Sequence, residues 1–259
     1  IWAGTKITDA KGVRVVKGYP TLERLSVPTN TLANGDMDLY RFKITAPADG
    51  DIGLFRFTFR VSSTTVATTS SFRVFAYTDS GFSSQAYAVN PINANDVDCV
   101  GSSTKEASAN DSCLTNGNDE ATGQQPIAST SHVAIFFDPV TNDPAIPGLE
   151  AINIPAGASR YFRFVGDVTK TTTGDSFSVA LLGDSAFIPT LTTQELGNSG
   201  SGIARDTLSS AYYVATTSNR FVWSPNTTST SATTTNDWLT GYLLPGLPST
   251  EMSQQTFSK

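Results

Sequence analysis

The chain has 259 residues, 39% hydrophobic and only 15% charged, with a formal charge of -6 at pH 7. Seventeen basic residues against twenty-three acidic ones, with no Lys/Arg run, exclude a polyphosphate-binding stripe, so no nucleic-acid partner is expected. No apolar stretch approaches the roughly 18 residues of a membrane span. Thr, Ser, Asn and Gly replace the missing charges, a composition that suits strands and turns and disfavours long helices.

The opening IWAGTK has neither Met nor a cationic-then-apolar leader, which reads as a processed or truncated start. Strand patterning begins with VRVV at 13–16 and LERLSV at 22–27. Val13, Val15, Val16, Leu22, Leu25 and Val27 make this segment a candidate donor strand for a neighbouring subunit. In MDLYRFKI, Tyr40, Phe42 and Ile44 share one face and Arg41 and Lys43 the other, the period of a half-buried strand. The turn APADGD leads to GLFRFTFRV, where Phe55, Phe57, Phe59 and Val61 alternate with Arg56, Thr58 and Arg60. Together these read as a hairpin. SFRVFAYT at 71–78 is a further strand.

Between Asn90 and Gln125 the pattern dissolves into Asn, Asp, Ser and Gly. Cys99 and Cys113 fall inside this stretch, and their polar surroundings point to a disulfide across a surface loop. Such a loop closure stabilises by about 3 kcal/mol in the chain-entropy model and belongs to an oxidising compartment. Asp96, Asp98, Asp111, Asn116, Asn118, Asp119 and Glu120 offer the hard oxygen donors that calcium selects, although their spacing is not that of an EF-hand and Asx residues also serve ordinary turns.

Strands resume at HVAIFF (132–137), after the turn at Pro155 to Gly157, and at FSVALLG (177–183), with Phe177, Val179 and Leu181 inward. About eight to ten strands by residue 190 predict an all-β, two-sheet β-sandwich of jelly-roll or immunoglobulin-like kind over 1–190, with the 90–125 stretch as an insertion. Residues 191–259 hold too few large apolar groups for a core of their own and are expected as additional C-terminal strands docked on the sandwich.

No enzyme chemistry is expected. Gly-Asp-Ser occurs at 174–176 and 183–185, but a serine nucleophile at Ser176 or Ser185 needs a base, and the one histidine, His132, precedes both. The triplets at Asn110 and Asn226 fit the glycan acceptor pattern, as chance also provides in so Asn- and Thr-rich a chain. Trp223, Trp238 and Tyr242 surround a Thr/Ser tract and NDWLTGYLLPGLP. They are read as an anchor for the tail or for an interface, with a sugar platform as the alternative.

Three matching elements, KGYPTLERLSVPTNTLANGDMDLYRFKITA, IPAGASRYFRF with TGDSFSVALLGD, and RFVWSPNTT leading to NDWLTGYLLPGLPS, carry a resemblance. By them the chain resembles the C-terminal part of long secreted, Ser/Thr-rich β-sandwich surface proteins of ultrasmall candidate-phyla bacteria. The resemblance implies an extracellular, cell-surface role and supplies no catalytic residues. The expected function is a structural subunit of a surface layer or extracellular filament that assembles with itself through strand contacts. The alternative is an adhesin or carbohydrate-binding module.

Overall fold

Phenylalanine at alternate strand positions has to be covered, and two sheets packed face to face cover it. The computed structural model describes residues 18–63, 68–88, 90–92, 97–100, 131–137, 152–169, 171–184, 220–225 and 239–259, with 68, 70, 71, 97–100, 131, 132, 134 and 136 by backbone alone. It is all-β, and two antiparallel sheets form a β-sandwich. Among the described residues no helix is long and apolar enough to cross a membrane.

The first sheet has the order β1 (Thr21–Leu25), β2 (Gly35–Thr45), β8 (Ser159–Thr169), β4 (Thr68–Tyr77). The second is organised on β3 (Ile52–Ser63), whose two edges are each shared by two strands. On one edge lie β7 (Ile152–Ile154) and then β6 (Ser131–Phe136), which β5 (Val97–Val100) extends. On the other lie β10 (Val222–Ser224) and then β9 (Ser176–Leu181). β11 (Leu239–Thr240) pairs with β10, and β12 (Gln255–Ser258) pairs with β9. Three strands of this sheet thus come from beyond residue 190.

The hairpin expected from MDLYRFKI and GLFRFTFRV is not formed. β1 and β8 occupy the two edges of β2, and the turn at 46–51 carries the chain across to the opposite sheet. The reason lies in the side chains, because both strands present phenylalanines on their inner faces. They meet face to face, with Phe42 and Phe57 ring centroids 5.2 Å apart and Tyr40 and Phe59 6.1 Å apart. Phe59 also stacks on Phe164 at 4.0 Å, and Phe42 on Phe162 at 5.0 Å. Such pairs add about 0.5–1.5 kcal/mol each beyond the area they bury.

Register shifts break the simple alternation in β2, β3 and β4, and those in β3 and β2 decide which side chains face the core. Opposite Val222 and Trp223, β3 carries one unmatched residue, Phe55. Ile52 and Leu54 therefore join the same core as Phe57, Phe59 and Val61, while Phe55 is buried outside it. In β2 the register shifts between Asp38 and Tyr40. Tyr40, Phe42 and Ile44 face the core from one side of the shift, and Met37 and Leu39 from the other. Asp38 is thereby turned outward.

Candidate functional site: the C-terminal clasp

Asp184, of the second Gly-Asp-Ser triplet, builds a clasp between strands. Asp184 lies three residues beyond the end of β9 and is wholly buried. Its carboxylate accepts the backbone N–H of Arg220 at 2.7 Å, of Phe221 at 3.1 Å and of Gly241 at 2.7 Å. One side chain thus fixes the entrance of β10 and the exit of β11 against the end of β9. Burial pushes its carboxyl above the ordinary range, against the pull of the three N–H donors and nearby Arg56. In the first triplet, Asp175 is also buried and accepts the backbone N–H of Thr172 at 2.6 Å, closing the turn before β9. Ser185 lies outside the described residues, and His132 sits on β6 opposite Arg60 and Val100.

Trp223 is buried, 3% exposed, and its Nε1–H donates to the Thr240 carbonyl at 2.9 Å, joining β10 to β11. It is not available to stack on a sugar. Tyr242 is half-buried, and Trp238 lies outside the described residues. Beyond Gly241, Leu244 and Leu247 return to the core. Between them Pro245 accepts the Leu22 N–H at 2.8 Å, so the segment lies along the outer side of β1. Gly246 is needed there. Its φ is +84°, and a Cβ would fall 1.7 Å from the Leu22 carbonyl oxygen.

From Thr250 onward the chain runs antiparallel to β9 and is gripped from both sheets. Gly183 N–H donates to the Thr250 carbonyl at 3.0 Å, and Met252 N–H to the Leu181 carbonyl at 2.8 Å. Arg60 of β3 makes a two-pronged pair with Glu251, at 2.6 and 2.7 Å. Tyr40 of β2 donates its hydroxyl to the Ser253 carbonyl at 2.8 Å. Arg24 of β1 donates to the Gln255 side-chain oxygen. On the far side of β12, Ser258 exchanges backbone hydrogen bonds with Asn30 and Leu32. Met252, Gln255 and Phe257 point inward and are buried.

A second cluster occupies the outer face of the first sheet. Arg41 and Arg163 stand directly opposite each other in the β2–β8 register, and the bulge places Asp38 between them. Asp38 is 7% exposed at its side chain and takes both guanidiniums, Arg41 Nε at 2.8 Å and Arg163 Nε at 2.9 Å. Phe82 lies over the Arg41 guanidinium at 4.3 Å. Sequence patterning missed this site because it puts Asp38 on the same face as Tyr40.

Of the candidate donor strand, Leu22 is buried in β1 and Leu25 ends the strand half-buried, with Val27 packed on the core just beyond. Val13, Val15 and Val16 lie outside the described residues. So do Cys113, Asp96, Asp111, Asn116, Asn118 and Asp119, and the side chains of Cys99 and Asp98, which stand on the backbone of β5. The disulfide and calcium expectations therefore fall outside the described residues. Within those residues no three His, Cys, Asp or Glu side chains gather as a metal site.

No known family matches the chain, and no curated protein matches it. Among solved structures, the chain is similar to AvmM, described as catalysing macrocyclization in alchivemycin A biosynthesis, at 12% identity and a TM-score of 0.25. The match covers 67% of this chain and 81% of that one. A second, from the structure of manganese lipoxygenase of Gaeumannomyces graminis and partial zonadhesin of Komagataella pastoris, has 11% identity and a TM-score of 0.23. It covers 67% of this chain and 44% of that one. Scores this low carry no functional argument.

Proposed function

We propose that this protein is a non-enzymatic extracellular structural protein, a subunit of a surface layer or filament that assembles with itself through β-strand contacts. The observation that carries the reading is the edge of the first sheet. β1 is a five-residue edge strand in which Leu22 and Arg24 turn their backbone groups away from β2. The Pro245 carbonyl meets the Leu22 N–H and Gly246 packs on the Leu22 carbonyl, so the C-terminal segment covers the edge at Leu22 and a further strand would pair beyond it, at Arg24. A strand edge of this kind is a template for another chain. Further support comes from how the acidic groups are used, since Asp38, Asp175 and Asp184 all spend their oxygens on structural hydrogen bonds.

The disulfide between Cys99 and Cys113 and a calcium-holding loop belong to the same reading, as devices for stiffening an exported protein. Concentrating the purified chain with and without calcium, and imaging it by electron microscopy, tests the proposal. Sheets or fibres are the expected result. A chain that stays monomeric in both conditions and forms neither would end it.

A further inference from the structure

The C-terminal segment is held as a bound peptide is held. The partners described above for Thr250 to Ser258 come from β1, β2, β3, β9 with Gly183 just beyond it, and the loop at 30–32, and Lys259 bonds to the loop at 171–175. The recognition is side-chain specific. Arg60 takes both oxygens of Glu251, Asn30 accepts from the Gln255 amide at 2.9 Å, and Thr171 Oγ1 accepts from Lys259 Nζ at 2.6 Å. Met252 and Phe257 fill apolar positions on the inward side. Backbone bonds for affinity and alternate side chains for specificity are the parts of a strand-addition site.

The base of the segment is fixed separately. Asp184 holds Gly241, Pro245 is bonded to Leu22, and Leu247 is buried, 2% exposed. Between that anchor and the gripped strand stand only Pro248 and Ser249, both exposed. An anchored base, a short exposed joint and a strand that fits a preformed groove are the elements of strand exchange. The groove of a second copy offers identical contacts. We infer that residues 250–259 are an exchangeable strand, and that the groove bounded by β9, Arg60, Arg24 and Asn30 accepts the same segment from a second copy of this chain. This rests on the self-assembly reading above and names the element that carries it. The joint from Leu247 to Thr250 reaches no more than about 10 Å, so exchanging copies lie closely apposed. Reciprocal exchange gives a closed dimer, and one-way exchange an open chain.

Charge reversal across the Arg60–Glu251 pair tests the inference on the full-length chain. Arg60→Glu and Glu251→Arg each set a like charge against their own segment, whereas one chain of each kind can satisfy both grooves by exchange. After brief partial denaturation, an equimolar mixture should hold at least about tenfold more dimer than either variant alone by native mass spectrometry. Recovery of strand structure only on mixing, where the single variants fail to fold, supports the inference equally. The chain carrying both reversals should fold and behave as the unaltered protein does. A mixture that stays monomeric while that double variant folds overturns exchange. Lattices formed by the unaltered chain would in that case leave self-assembly standing through other contacts. A mixture that dimerises while the unaltered chain never assembles would sustain exchange and end the surface-layer reading.

Discussion

Asp184 shows how one side chain can replace a stretch of ladder. Its Oδ1 serves Arg220 and its Oδ2 serves both Phe221 and Gly241, all in a fully buried position. In Asp184→Asn one acceptor becomes an amide donor aimed at backbone donors. Leaving buried N–H groups unmet costs about 1–3 kcal/mol, which a urea titration of the variant against the parent would read directly. Tyr87 makes a titratable counterpart. Its hydroxyl donates to the Asn153 carbonyl at 2.9 Å, and burial pushes its pKa from the ordinary 10.0 up to about 12, against the pull of Arg160. The folded state therefore holds this proton longer than the unfolded chain does. That contribution is complete below pH 10.0 and is lost as the pH rises through about 12. Unfolding curves across this window should flatten in Tyr87→Phe, and an unchanged alkaline slope would remove the assignment.

At the scale of strands, the sequence was legible wherever alternation was unbroken and misleading wherever a bulge intervened. β6, β8 and β9 lie where their period of two predicts, with Phe162, Phe164, Phe177 and Val179 inward. Phe55 and Asp38 do not follow their neighbours, because a single added residue exchanges the faces of everything beyond it. β2 and β3 look like a hairpin from a short Pro/Asp/Gly turn between apolar strands. Nothing in that turn says whether the second strand will lie beside the first or across from it. β12 is short and mostly polar, so its pairing depends on its tertiary partners. The Asp38 site gives this scale its test. Asp38→Ala leaves Arg41 and Arg163 opposed as like charges, at a cost of about 1–2 kcal/mol once solvent screening of the partly exposed arginines is allowed for. Added salt should recover part of that loss in thermal melts, since it screens the remaining repulsion. A variant as stable as the parent at low salt would show that the bulge does not depend on the triad.

Across the whole molecule, the stretch NDWLTGYLLPGLP works from its fixed half outward. Gly241, Leu244, Pro245 and Leu247 lock onto Asp184, β1 and the core, so that the strand which follows is presented to a groove built from both sheets. Sequence alone pointed to an anchor in this stretch and offered the segment from Val13 to Val27 as the donor strand, because VRVV is apolar and QTFS is not. The groove supplies what the strand lacks, through Arg24, Arg60, Tyr40 and Asn30. Self-assembly through strand contacts is the central claim, and imaging the purified chain at rising concentration tests it most directly. Fibres or ordered sheets that appear with concentration are the predicted result, and a single monomeric species at every concentration, with and without calcium, would contradict it.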